Sequence, residues 1–247
     1  MRTSKPKFNG KVITGTILYE GPSLLDGAPI VAIATGLDKA SANSKTGDMI
    51  QTWILAAGDL SPQAAVDAGA DSSVCGDCPL KGAACYVVTW RAPRSVYAAY
   101  KRGNYPRGRF DLLQGRKVRV GSYGDPAAVP AEVWEQAIAG AVTYTGYTHQ
   151  WRRTQATRAF TMASVDTLEQ REQARALGFR TFRVGALETL QAGEILCPAS
   201  EEAGRKVTCA DCGLCKGAGK AKDIMIPAHG PGAKVAADKV ASLGGSV

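Results

Sequence analysis

The sequence predicts an α/β protein: a partial (β/α) barrel of about six parallel units, preceded by a β-hairpin and carrying cysteine-rich loops. Three observations carry this. From Lys117 onward, short apolar strands recur: 118–120 (VRV), 142–147 (VTYTGY), 160–165 (FTMASV), 180–184 (RTFRV), 195–196 and 224–226 (IMI). Helical or loop segments separate them, and that alternation is the pattern of parallel strands joined by crossovers. Polar or cysteine residues follow most strand ends, where parallel α/β folds gather their ligands. A doubly wound open sheet is the alternative architecture.

Taken in order, residues 1–10 form a polar arm. Residues 12–20 (VITGTILYE) and 30–35 (IVAIAT) read as two strands joined by the turn residues of 21–27, so 1–40 is expected to be an arm and hairpin. The loop LDKASANSKTGDM holds Lys39, Asn43, Lys45 and Thr46 but lacks the glycine pattern of a phosphate-binding loop, so it reads as a surface loop. Residues 49–55 (MIQTWIL) form the first strand of a barrel-like domain spanning 41–230. In PAEVWEQAIAG, Val133, Trp134, Ala137 and Ile138 mark one apolar helix face. DTLEQREQARALGF opens with a capping box from Asp166 to Glu169 and closes at Gly178. Residues 231–247 are a C-terminal tail.

The chain has seven cysteines in two groups. Cys197, Cys209, Cys212 and Cys215 give four thiolates, three of them spaced two residues apart, which suits a [4Fe–4S] cluster; zinc is the alternative occupant. Cys75, Cys78 and Cys85 give three. A four-iron cluster held by three cysteines leaves one iron open, unless Asp77, His149 or His229 closes it. An odd cysteine count argues against full disulfide pairing. For Asp166 a helix cap, and for His149 and His229 positions beside the ligands or on the surface, are the ordinary readings.

The formal charge of +8 favours an anionic partner, but seven thiolates on two clusters would remove about three positive charges. In the segment 91–109, Arg91, Arg94, Lys101, Arg102, Arg107 and Arg109 interleave with Trp90, Tyr97, Tyr100, Tyr105 and Phe110. That composition fits nucleic acid, and equally a helix over 96–101 packing its tyrosines on the core. No apolar run approaches the roughly 20 residues of a membrane span, and the start MRTSKPKFNGK lacks a signal-peptide core, so a cytoplasmic protein with no membrane partner is expected.

The three-cysteine loop after the first barrel strand, the turn Gly121-Ser-Tyr-Gly-Asp125 after the second, and the six-unit array resemble the radical S-adenosylmethionine superfamily. The order SANSKTG, CGDCPLKGAACYV, RFDLL, VRVGSYGDP more specifically resembles bacteriophage-encoded iron–sulfur proteins of unassigned function related to that barrel, over roughly residues 40–230. The resemblance implies two [4Fe–4S] clusters and S-adenosylmethionine bound at the open iron of the Cys75, Cys78, Cys85 cluster. It also implies Gly121, Gly124 and Asp125 near the amino group of that cofactor, and the cytoplasm of an infected host as the location. The family's usual loop has three and then two residues between cysteines, whereas this one has two and then six. Two function classes follow: an enzyme acting on a small-molecule or protein substrate, or a non-catalytic iron–sulfur or zinc module that binds nucleic acid or a phage or host protein.

Overall fold

The computed structural model describes residues 5–41, 43–230 and 232–245. The strands, in chain order, are β1 (Lys7–Phe8), β2 (Lys11–Val12), β3 (Gly15–Pro22), β4 (Pro29–Thr35), β5 (Ile50–Ala56), β6 (Lys117–Tyr123), β7 (Thr143–Thr148), β8 (Met162–Val165), β9 (Thr181–Val184), β10 (Glu194–Leu196) and β11 (Asp223–Ile226). The helices are α1 (Pro62–Asp67), α2 (Ser72–Cys75), α3 (Ala92–Lys101), α4 (Ala131–Ile138), α5 (Leu168–Ala176), α6 (Cys209–Cys212) and α7 (Ala233–Ser242).

Nine strands form one sheet in the order β10-β11-β9-β8-β7-β6-β5-β4-β3. β3, β4 and β5 pair antiparallel, and from β5 to β10 every pairing is parallel. The expected hairpin is therefore present, although it begins at Gly15: Lys11 and Val12 pair instead with Lys7 and Phe8 in a separate two-stranded ribbon. Part of the expected polar arm is thus ordered by pairing, and residues 1–4 lie outside the described residues. From β3 to β9 the strand order follows the chain with no reversal, whereas a doubly wound sheet reverses at a switch point. The last two strands exchange places, β11 lying between β9 and β10. No pairing joins the edge strands β3 and β10 among the described residues.

The sheet is two-sided, and the period of two in each strand shows it. On one side, Val118 and Val120 join a core with Leu113, Trp134 and Ala137, while Ala163 and Val165 pack with Ala174 and Phe179 around α5. The alternate residues Arg119, Gly121, Tyr147, Ser164, Phe182, Ile224 and Ile226 face a cavity on the other side. Trp134 and Ala137 are buried in α4, as the apolar stripe requires.

Two helix boundaries differ from the expectation. The cap of α5 lies one residue later than the expected Asp166–Glu169 box. Thr167 Oγ1 accepts from Gln170 N (3.1 Å), and Gln170 Oε1 accepts from Asp166 N (2.9 Å), so Thr167 is the cap. In the expected tail, residues 233–242 form α7, which buries Ala236 and Val240. It packs against the turn at 82–84, where a Cβ on Gly232 would come 2.8 Å from Ala83 O. Among the described residues, no helix is long and apolar enough to cross a membrane.

Candidate metal centre

All seven cysteines are free, and all seven line one cavity of about 310 Å³ over the inner face of the parallel sheet. Strand carboxyl ends supply much of its wall: Tyr123 to Asp125 after β6, His149 after β7, Asp166 after β8, Cys197 after β10 and His229 beyond β11.

The three-cysteine group hangs on α2. Cys75 is its last residue, and Gly76 follows at φ +59 with a backbone so close to Gln150 that a Cβ would meet its carboxamide at 2.6 Å. Gln150 Nε2 in turn donates to Cys75 O (3.3 Å), and Cys78 N donates to the same carbonyl (3.2 Å). A short 3₁₀ turn, Gly82–Ala84, then brings up Cys85, whose Sγ accepts from Val87 N (3.4 Å).

The turn Gly121 to Asp125 forms the adjoining wall. Gly124, at φ +82, lies against Ile54 and Val74, where a Cβ would come within 2.7 Å of Ile54 Cβ. The amide of Gly121 donates to Thr52 Oγ1 (2.8 Å). Asp125 is buried, and its carboxylate accepts from Ala127 N (3.0 Å), Thr148 Oγ1 (2.7 Å) and His149 N (2.7 Å). These bonds tie the end of β6 to the end of β7 and thereby set the position of His149. His149 Nδ1 lies 3.4 Å from Cys78 Sγ, and its Nε2 is buried without a hydrogen-bond partner. Burial opposes the imidazolium, yet Cys78, Asp166 and Asp125 together lift the ring to about 9. Of the other two residues weighed as a fourth ligand, Asp77 is exposed and does not line the cavity, and His229 stacks on Tyr86 with its Nδ1 3.1 Å from Pro227 O.

The four-cysteine group is assembled from farther apart. Cys197 N donates to Met225 O (2.8 Å), which fixes Cys197 beside β11. Cys209 and Cys212 begin and end α6, capped by Thr208 and closed by left-handed Gly213. Cys215 O accepts from Gly146 N in β7 (3.1 Å). The loop read as surface or phosphate-binding serves as the support: Lys45 O and Thr46 O accept from Cys209 N (3.0 Å) and Ala210 N (2.9 Å). Thr46 is 2% exposed.

Burial pushes every thiol with a resolved shift upward, Cys85 to about 11 and Cys215 to about 12. The neighbouring thiolates add to this in two sets: Cys78 and Cys85 act on Cys75, while Cys197, Cys209 and Cys212 act on Cys215. Among the described residues no three His, Cys, Asp or Glu side chains stand as ligands for a single metal ion. Seven unpaired sulfur donors in one cavity, beside a buried and unpartnered imidazole nitrogen, are a donor set that fits soft-metal centres.

Sequence reasoning missed Arg180, which is buried and has no carboxylate partner among the described residues. Its guanidinium donates to Leu214 O (2.7 Å), Gly217 O (3.2 Å), Ala221 O (3.0 Å) and Lys222 O, and so gathers the loop that carries Cys215. A lone arginine opening a strand gives no signal of this in sequence. Arg180→Gln is expected to release that loop and cost roughly 2–3 kcal/mol, because hydrogen bonds from a charged donor are lost. Denaturant unfolding, with metal counted per chain, checks it: unchanged stability and metal content would contradict the assignment.

The basic segment is engaged in the fold in part: Arg91, Arg94 and Arg102 are exposed and outside the ion pairs of the described residues, Arg91 lying 4.8 Å from the ring of exposed Trp90. α3 buries Val96 and Tyr97, and Tyr105 is buried beyond it. Lys101 pairs with Asp59 (2.9 Å), Arg109 with Asp111 (2.7 Å) and Arg107 with Glu20.

Searches with the sequence and the structure found no matching family model, curated protein or solved structure.

Proposed function

We propose that this chain is an iron–sulfur enzyme of the radical S-adenosylmethionine type, with one [4Fe–4S] cluster on Cys75, Cys78 and Cys85 and a second on Cys197, Cys209, Cys212 and Cys215. The observation that carries the reading is the convergence of both cysteine groups on one cavity at the carboxyl ends of a parallel sheet. The sequential order of β5 to β9 supports treating the sheet as a partial (β/α) barrel whose interior is that cavity. The run of three cysteines spaced two residues apart is the sequence feature that favours an iron–sulfur cluster over zinc.

The chemistry that the three-cysteine cluster would supply is one-electron reduction of S-adenosylmethionine chelated at its open iron. The chain's own residues do the positioning. Asp125 ties the turn after β6 to His149, Gly121 lets the turn fold back on Pro126, and Gly124 lets the wall approach Val74 of α2 closely. The apolar side chains Phe182, Val184, Ile224 and Ile226 would keep water from the space beside the clusters.

One observation favours a second reading. His149 Nδ1 stands 3.4 Å from Cys78 Sγ, so His149 is the residue placed to close the three-cysteine site; the protein would then be a non-catalytic iron–sulfur module. Anaerobic purification is expected to give about seven to eight irons per chain with matching acid-labile sulfide. Adding S-adenosylmethionine to the reduced protein is expected to change the electron paramagnetic resonance signal of one cluster. A wild-type signal indifferent to it, with a response gained in His149→Ala, would establish the closed site. Stoichiometric zinc without sulfide would defeat both readings.

A further inference from the structure

Two cationic side chains line the cavity without a carboxylate partner. Arg119 lies on the inner face of β6, and Lys45 enters from the loop that supports Cys209. Neither is in an ion pair among the described residues. A guanidinium has five N–H donors. Among the described residues that of Arg119 makes one hydrogen bond, from Nη2 to Tyr86 Oη, and its Nε is buried and unbonded. The Cys209 and Cys215 thiolates attract Arg119 by charge, but none of its nitrogens is hydrogen-bonded to a cysteine sulfur among the described residues.

Tyr86 completes the group. Its ring centroid lies 5.6 Å from the Arg119 guanidinium and 6.2 Å from that of His229, on which it stacks. Its Oη accepts from Arg119, and a phenol keeps its hydrogen at neutral pH, so that hydrogen is free to be donated. Tyr86 is 45% exposed, which leaves this end of the cavity open to solvent. The acids are engaged elsewhere. Asp125 and Asp166, the carboxylates that line the cavity, both act on His149, and Asp125 already accepts from Ala127, Thr148 and His149. Asp211 of α6 accepts from Thr208 Oγ1 (2.6 Å), pairs with Lys117 (3.6 Å) and does not line the cavity. Glu202, which acts on His229, is exposed and does not line it either.

A guanidinium fork, an ammonium and a phenolic hydroxyl with no carboxylate among them suit an oxyanion, since carboxylate and phosphate both accept paired, charge-assisted bonds from arginine. Such bonds gain strength where water is partly excluded. We propose that Arg119, Tyr86 and Lys45 seat the anionic group, a carboxylate or a phosphate, of the substrate. Tyr86 follows Cys85 directly, and Lys45 O accepts from Cys209 N (3.0 Å), so the seat adjoins both cysteine groups. The apolar lining at Phe182, Ile224 and Ile226 suits the uncharged remainder of such a molecule. The assignment to a substrate rests on the enzyme reading above.

The test is anaerobic titration calorimetry of the intact, cluster-loaded protein with inorganic phosphate and, separately, with acetate, at constant ionic strength, after iron and sulfide have been counted. Saturable binding of at least one probe is expected, and the tighter of the two decides between phosphate and carboxylate. Arg119→Gln should weaken it about tenfold or more, the loss expected for a hydrogen bond from a charged donor. Lys45→Gln should weaken it severalfold, and Arg94→Gln, on the exposed side of α3, should leave it unchanged. Should Arg119→Gln fail to fold or to load its clusters, Lys45→Gln decides, since the Lys45 contact to Cys209 is made by its backbone. Saturating S-adenosylmethionine should leave the probe bound. Where iron, sulfide and a spectroscopic response to S-adenosylmethionine are all present, three results each overturn the seat alone: no saturable binding, a loss in Arg94→Gln equal to that in the cavity variants, or displacement of the probe by S-adenosylmethionine. A spectrum indifferent to S-adenosylmethionine, or stoichiometric zinc without sulfide, overturns the enzyme reading and the substrate assignment with it.

Discussion

Glu194→Ala is expected to destabilise the protein by about 3–5 kcal/mol, the range for removing one member of a buried ion network. Glu194 lies at the start of β10, 5% exposed, and its carboxylate accepts from Arg183 Nε (2.9 Å), Arg183 Nη2 (2.7 Å) and Gln191 N (2.9 Å). Arg171 reaches across from α5 to Glu194 (3.3 Å) and to Asp223 (3.3 Å), and Asp223 accepts from Thr181 N (2.9 Å). The network thus joins the starts of β9, β10 and β11, the three strands whose order departs from the chain. Without Glu194, Arg183 is left buried and uncompensated. Arg183→Met combined with Glu194→Leu removes both charges and should recover much of the loss, which separates the penalty of a stranded charge from the worth of the pair. Denaturant unfolding of the single and double variants checks this; a single-variant loss below about 1 kcal/mol would show the network to be dispensable.

The same carboxylate gives a pH dependence. Burial alone would raise the Glu194 pKa, but the bonds from Arg183 and Gln191 and the charges of Arg183 and Arg171 hold it below its ordinary value. A group depressed in the folded state stabilises that state fully above its unfolded pKa and loses the contribution as pH falls through the folded one. Wild-type stability should therefore fall below about pH 4.5 more steeply than that of the double variant.

The second large effect is at Cys212. On the proposed two-cluster reading, Cys212→Ala is expected to abolish the four-cysteine centre and destabilise the fold by several kcal/mol, because metal-binding energy is folding energy where the ligands come from separate segments. Residues 197–222 have little regular structure: Cys197 and Cys215 sit in a small cluster with Met162, Ile224 and Ile226, and the rest is held by single hydrogen bonds to Lys45, Thr46, Gly146, Arg158 and Met225, by Lys117 and by Arg180. Thermal unfolding of the variant should match that of the chelator-stripped wild type. A variant that loses metal while keeping its full unfolding temperature would show the segment to be held by protein contacts alone.

Much of the strand pattern was legible. The segments around 50–55, 118–120, 143–147, 162–165, 181–184 and 224–226 all lie in strands, because short apolar runs bounded by turn residues have few alternatives. Cysteine spacing marked 75–85 and 197–215 as site segments, and both line the cavity. Neighbouring residues were less visible. The loop at 43–47 looked like ordinary surface because its support of Cys209 is made by backbone carbonyls, which carry no side-chain signature. His149 appeared as a lone histidine, and its place beside Cys78 depends on a contact between residues 71 positions apart.

What the sequence determined by itself is local: where strands and helices form, and which segments carry the cysteines. Both follow from periodicity and short-range spacing, which act over a few residues. The tertiary structure alone decided that all seven cysteines open onto one cavity, that His149 lies against Cys78, and that β11 slips between β9 and β10 around Arg183 and Glu194. Those arrangements depend on sheet order and on charges brought together from distant parts of the chain, and long-range pairing leaves no periodic trace along it.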